Sequence, residues 1–265
     1  VVIIGVTEFG AILTADISDL TNVGTPTYQW KRDGVEIPGA TESTYKLVKD
    51  DIGKTITVDV TADDISGTGT IASEATGLIT KATAIPPAAP EVDYFLNDYV
   101  TLKNNESFEF SIDGEKWQDS NYFGDLDEGT SYTFYARVKE TDTHLASPAS
   151  AGTEVTTYKI LAQVQKPTWG EDAITWDSVP HAVGYIVRIY KDGETFRIHS
   201  EDISGTSYPI NTFRSKIAEN GAGIYRLGVQ AQAAAWSIYS QGPESERSDP
   251  YVTASSNGIA IATGT

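Results

Sequence analysis

Three times along this chain an aromatic-bearing extended run closes on Asp-Gly. The runs occupy residues 28–34, 108–114 and 185–193, and their aspartates, Asp33, Asp113 and Asp192, stand 80 and then 79 residues apart. Asp-Gly tolerates the positive φ angles of tight hairpin turns, so each run predicts a strand folding back on its neighbour. A period of about 80 residues suits one small two-sheet body per copy. In 265 residues that makes three in series.

A second landmark keeps the same order. Downstream of each Asp-Gly a glycine introduces a strand of period two: Gly53 before Ile56, Val58 and Val60; Gly129 before Tyr132, Phe134, Ala136 and Val138; Gly223 before Tyr225, Leu227, Val229 and Ala231. Strict alternation sends one face to a core and the other to water, as an antiparallel sheet requires. The third interval is longer because residues 211–218 are inserted, and Phe213 and Ile217 at i, i+4 predict a short helix there. Helical periodicity is absent elsewhere. The fold class is therefore all-β, with three tandem β-sandwich modules at 1–82, 83–158 and 159–254 and a tail or linker at 255–265. The first boundary, residues 80–90, is rich in proline and predicts a semi-rigid spacer. The second, near 157–162, has neither proline nor glycine and predicts a stiffer junction, with a strand running from one module into the next. With no initial Met and a soft Gly/Ser/Thr end, the chain reads as a piece of a longer one.

Composition removes several classes of function. The chain carries 37 acidic against 19 basic residues, a formal charge of −18 that repels phosphate backbones and argues against nucleic acid. No apolar run approaches the ~20 residues of a membrane span, so no membrane insertion is expected within this segment. There are no cysteines, which removes disulfides, thiolate catalysis and cysteine-bound zinc together. By module the charge is −6, −10 and −2, which makes the middle module the place to look for a cation or a basic partner.

Module one resembles a bacterial immunoglobulin-like domain. The resemblance is carried by Trp30 in the third strand, Gly34 to Gly39 with Ile37, then Tyr45, Leu47, Asp51 and Gly53, and the strand through Ile56 and Val58. It implies that Ala15 or Ile17 and Val58 stand where a disulfide would lie, so apolar contacts alone join the sheets there. Modules two and three resemble fibronectin type III domains of the kind strung along surface proteins of Gram-positive, especially clostridial, bacteria. In module three the match runs from Ile174 and Trp176 through Val179, Ala182 and Tyr185 to Val187, then Tyr225, and ends at residues 242–248. In module two it covers Phe123, Leu126, Gly129 and Tyr132 to Val138, then 146–149. Under this resemblance Trp30 and Trp176 are core rings between sheets, and Tyr132 and Tyr225 cap a neighbouring backbone while filling the core. All four are read as structural, as large aromatics in small cores usually are.

Residue patterns that carry chemistry are few. No catalytic or cofactor motif occurs, and no cofactor is expected. Gly67, Gly69 and Ala72 imitate a dinucleotide fingerprint, but a Thr/Ile-rich strand follows where a helix is needed. His144, His181 and His199 have no metal-ligand spacing, and His181 reads as a solvated loop residue. Asp50 with Asp51, Asp63 with Asp64, and Asp125 with Asp127 and Glu128 offer oxygen ligands for weak calcium binding, but none has the spacing of a calcium loop. A solvated acidic rim is the preferred reading. Asn105 to Ser107 fits a glycosylation acceptor that matters only in a eukaryotic secretory route, and residues 31–34 form a turn rather than an integrin site.

For carbohydrate the candidates are Trp236 and Tyr239, placed between the last two strands of module three, where sandwich loops present function. Trp117 and Trp169 are weaker candidates and read as caps on their own cores. An open aromatic platform at Trp236 and Tyr239 favours a glycan, and burial favours a spacer. The expected function is a non-catalytic extracellular spacer or adhesion segment of a bacterial cell-surface protein, presenting or positioning binding domains toward a protein or glycan ligand. The alternative is a set of carbohydrate-binding accessory modules of a secreted polysaccharide-degrading enzyme.

Overall fold

A computed structural model describes residues 1–64 and 67–253, without the side chains at 64, 67 and 68. The tail expected at 255–265 and the carboxylate of Asp64 lie outside the described residues. Strands dominate, and one helix, Ile210–Ala218, interrupts them among the described residues, at the predicted insertion. The fold is all-β and is built from sandwiches. The chain forms two compact units. One contains Val1–Glu91, Lys103–Asn121 and Phe134–Thr153; the other contains Val92–Leu102, Tyr122–Thr133 and the chain from Glu154 onward. The strands of residues 83–158 are thus divided between the two.

In the first unit, the sheet Val2–Ile4, Ile12–Asp16, Thr44–Lys46 faces a second of order Val35–Glu36, Thr27–Arg32, Ile56–Asp64, Gly67–Ala72. Between them lie Leu13, Ala15, Trp30, Leu47, Ile56, Val58, Val60 and Ile79. Period two turns Ile56, Val58 and Val60 inward, and Val58 sits directly opposite Trp30 in the ladder. Trp30 is fully buried, stacks on Tyr45 at 5.7 Å and donates its indole N–H to the Glu42 carbonyl at 2.9 Å. Gly67–Ala72 is itself a strand, so the dinucleotide likeness has no helix to serve it. In the same unit Phe108–Ser111 pairs with residues 135–138, from Phe108 opposite Val138 to Ser111 opposite Tyr135.

The three Asp-Gly pairs all turn the chain, but only the first makes a two-residue hairpin. Asp33 and Gly34 both take positive φ (44° and 81°), and Asp33 also accepts the Thr55 N–H. At the second, the Asp113 carboxylate accepts from Glu115 and Lys116 and supports a longer loop back to Gln118. At the third, the chain does not re-pair until Ile198 donates to Ile189. The dipeptide marks a reversal, and the residues after it set the loop length.

The second unit holds the sheet Thr168–Trp169, Ala173–Thr175, Ser207–Pro209 against a four-stranded one, His199–Ile203, Ala182–Lys191, Gly223–Ala233, Tyr251–Thr253. Ile174, Trp176, Tyr185, Val187, Ile189, Phe213, Ile217, Tyr225, Leu227 and Val229 fill the space between. The helix joins this core through Phe213 and Ile217, one turn apart. Tyr225 is fully buried and donates to the Gly221 carbonyl at 2.6 Å. Tyr132 is half-buried and accepts the Asp127 N–H at 2.9 Å, while Phe134 and Ala136, farther along its strand, are fully buried. Trp176 packs edge-on against Tyr185 at 5.7 Å, and its indole N–H finds no acceptor among the described residues. Its contribution is therefore that of the ring alone.

The segments expected to be connectors are both paired into parallel ladders. Ala82–Thr83 lies parallel to His144–Leu145, within the first unit. Lys81 there bridges to Glu140 at 2.6 Å, and Phe9 meets His144 edge-on at 5.4 Å. Lys159–Ile160 lies parallel to Tyr239–Ser240, within the second. Just before it Thr157 is buried and donates to the Asp127 carbonyl at 2.6 Å, and Tyr158 stacks on Phe95 at 4.9 Å.

Three phenols donate to carboxylates under the sheets: Tyr45 to Asp51 (2.9 Å), Tyr190 to Glu244 (2.8 Å) and Tyr208 to Glu201 (3.0 Å). Asp51 has no exposed surface, and it also takes Arg32 at 2.7 Å and the Val48 N–H at 2.7 Å. Gly228 leaves the room that the Glu244 carboxylate occupies. Replacing Asp51 by alanine strands Arg32 and Tyr45 together, and we expect a loss of about 3–5 kcal/mol in denaturant unfolding. Asp51→Asn, which keeps acceptor capacity, should lose less.

Burial first, then the carboxylate, pushes the Tyr45 and Tyr190 phenols up to about 12. An unfolded tyrosine ionises near 10, so the stabilisation is complete below about pH 10 and is lost as pH rises through about 12. The melting temperature should accordingly fall across that window. Tyr190→Phe should be about 1 kcal/mol less stable than wild type at pH 7, with the gap closing toward pH 12. A constant gap would contradict this origin of the alkaline loss.

Candidate functional site

Two aromatic surfaces stand out in the second unit. The first is the loop after the strand Gly223–Ala233. Trp236 is fully exposed and takes a positive φ of 62°, held in a turn where Ser237 donates to the Ala234 carbonyl at 2.9 Å. Tyr239 is half-buried, packs against the core and stacks face to face on His181 at 4.5 Å. His181 itself has a positive φ of 69° at the start of the strand Ala182–Lys191. The two residues picked for carbohydrate are three apart in the chain but differ in setting: one ring is open and the other is closed against its neighbours. No ring contact joins them. Val183 and Ile238 are exposed at the same end.

The second surface was not singled out in the sequence. Across Val92–Phe95, Val100–Leu102 and Tyr122–Phe123, the row Phe95, Val100, Phe123 alternates with the row Tyr94, Thr101, Tyr122. Val100 and Phe123 are buried, whereas Tyr94 and Tyr122 are 54% and 51% exposed. Tyr99 stands between these two rings, 6.0 Å from Tyr94 and 5.6 Å from Tyr122. Gly124 leaves space for the Tyr122 ring: a Cβ there comes within 2.7 Å of its hydroxyl. Burial, then Tyr94, Tyr122 and the Asp98 carboxylate, raise the Tyr99 phenol above its ordinary value. The signal that could have found this face is the alternation of Tyr99, Val100, Thr101 and Leu102, which turns Tyr99 and Thr101 away from the buried Val100 and Leu102.

Other candidates fall into structural roles. Trp169 is half-buried, packs on Phe213 and Tyr251 at 5.0 and 5.2 Å and donates to the Asp249 carbonyl, so it closes its own core. Trp117 lies under the Arg137 guanidinium at 4.5 Å. His199, Glu201 and Tyr208 do converge, with Glu201 receiving Tyr208 at 3.0 Å and lying 3.2 Å from His199. His199 and Tyr208 hold the Glu201 carboxyl below its usual range, and burial with Glu201 pushes the Tyr208 phenol up. Both shifts move away from neutrality, opposite to what proton transfer needs. This trio tethers strands.

Among the described residues no group of three or more His, Asp or Glu side chains could hold a metal ion. Of the acidic pairs considered for calcium, Asp51 is spent on Arg32 and Tyr45, and Glu128 accepts the Ile160 N–H at 3.1 Å. No described helix is long and apolar enough to cross a membrane.

No protein-family model and no curated protein matches the chain. Among solved structures it is similar to the FN1–FN3 domains of chicken CNTN1, with 14% identity over 94% of this chain and 96% of that one, at a TM-score of 0.33. The fold assignment rests on the sheets and cores above rather than on this likeness.

Since Trp236 makes no core contact, Trp236→Ala should change stability by less than about 0.5 kcal/mol. It should also remove the most red-shifted, iodide-quenchable part of the tryptophan emission. Emission unchanged by the substitution would mean that the ring is not open to water.

Proposed function

We propose that the chain is a non-catalytic spacer segment of a Gram-positive bacterial surface protein, its sandwiches at 1–82, 83–158 and 159–254 positioning binding domains outside the cell. The observation that carries this reading is the pinning of both connecting segments. Neither segment is a free linker: Ala82–Thr83 is paired in a parallel ladder to His144–Leu145, and Lys159–Ile160 to Tyr239–Ser240. The exposed ion pairs Lys81–Glu140 and Lys49–Asp142 add little, about 0–1 kcal/mol each. Backbone pairing is the restraint. A cysteine-free composition and the resemblance to clostridial surface modules support the compartment.

A second reading has its own observation. The fully open Trp236 ring offers an apolar face of the kind sugars stack on, which supports carbohydrate-binding accessory modules. Pull-down on xylan, chitin and peptidoglycan separates the two: retention that Trp236→Ala abolishes favours the glycan role, and no retention removes it. For the spacer, antibodies to the chain should label intact bacteria without permeabilisation. Labelling only after lysis rejects the placement.

The joints make a sharper prediction. Hydrogen exchange should show protection of the Ala82 and Ala84 N–H groups, which donate to Thr143 and Leu145, and of Lys159 and Leu161, which donate to Ile238 and Ser240. Ala82→Pro removes one of these donors and should speed protease cleavage within residues 80–90. Exchange at these amides as fast as in an unstructured peptide would mean that the joints are not pinned.

A further inference from the structure

Three rings of this protein lie beneath the chain's own arginines. Arg137 lies over Trp117 at 4.5 Å, Arg247 over Tyr190 at 3.8 Å and Arg214 over Tyr251 at 6.0 Å. Among the described residues no arginine or lysine lies over Tyr94 or Tyr99, and Tyr94 and Tyr122 remain about half exposed. The segments that build and flank this face, residues 92–102 and 122–133, contain five carboxylates (Asp93, Asp98, Asp125, Asp127 and Glu128) and no lysine or arginine. Lys103, the next residue along, is ion-paired to Glu91. Asp98, in the turn between Tyr94 and Tyr99, is exposed and has no ion-pair partner among the described residues.

We propose that the face formed by Tyr94, Tyr99, Thr101 and Tyr122 is a docking site for an arginine- or lysine-bearing segment of another protein, with Asp98 at its edge. Charge complementarity selects the occupant. Electron-rich ring faces attract guanidinium and ammonium groups, and the Asp98 carboxylate beside Tyr99 draws a basic chain in while repelling an acidic one. Rings 5.6 and 6.0 Å apart let successive cations, or one guanidinium and its alkyl stem, lie against more than one tyrosine. The site does not depend on the spacer reading, nor on Trp236.

The test uses the full chain and a fluorescein-labelled peptide of four Arg-Gly repeats, read by fluorescence anisotropy. Four Glu-Gly repeats and a chitin hexasaccharide serve as competitors. Wild type should bind the arginine peptide, more weakly as salt rises, and neither competitor should displace it. The double variant Tyr94→Ala with Tyr122→Ala should lose about tenfold in affinity, whereas Tyr94→Phe with Tyr122→Phe, which keeps the ring faces, should stay within about twofold. Asp98→Asn should weaken binding by about threefold and flatten the salt dependence. Trp236→Ala should bind as wild type does.

Hydrogen exchange of the unmutated chain with the peptide gives a reading that needs no variant: protection should be confined to residues 92–102 and 122–133. No binding by wild type overturns the proposal. So does equal binding by the alanine variant, displacement by the hexasaccharide, loss in Trp236→Ala, or protection elsewhere.

Discussion

Without a single cysteine, side-chain burial alone must hold one sheet of a sandwich to the other. Trp30 shows the scale. Its ring can remove up to ~250 Å2 from water, an upper bound of about 6 kcal/mol at about 25 cal/mol/Å2. A disulfide in the same place would contribute about 2–4 kcal/mol. A fully buried tryptophan stacked on Tyr45, with Val58 beside it in the ladder, is therefore a sufficient substitute for the bridge. Tyr208, Phe213 and Tyr225 serve the second unit in the same way.

Burial on that scale brings polar atoms in with it, and the chain satisfies most of them by pairing phenols with carboxylates. Asp51 is the most committed case, because its two oxygens receive a guanidinium, a phenol and a backbone N–H with no access to water. Glu244 takes Tyr190 and Arg188 on a sheet face cleared by Gly228. These tethers account for several acidic residues that composition alone describes only as negative charge. They also explain why convergence of His199, Glu201 and Tyr208 is a structural knot. Glu201 is held ionised and Tyr208 protonated.

What remains for recognition lies on outward rows and loop tips, where a side chain is free of core duty. Trp236 and the tyrosine face solve that differently. One presents a single ring on a turn that a positive φ holds open, and the other a row fixed by sheet register. A register-fixed row is the more rigid platform, because each ring's position follows from backbone pairing.

Much of the architecture was legible in advance. The Asp-Gly period and the alternation after Gly53, Gly129 and Gly223 determined an all-β chain, because strand geometry leaves a period-two imprint that any folded sheet must obey. Trp30, Trp176 and Tyr225 were likewise readable as core residues, and Phe213 and Ile217 as one helix face. Three-dimensional packing decided the rest. Only the folded chain could commit Asp51 at once to Tyr45 and to Arg32, 19 residues away, or close Tyr239 against His181 while leaving Trp236 open. Only cross-strand register could set Tyr94, Tyr99 and Tyr122 side by side. Local pattern records which face a residue takes, whereas its neighbours on that face come from strands that meet through long-range pairing.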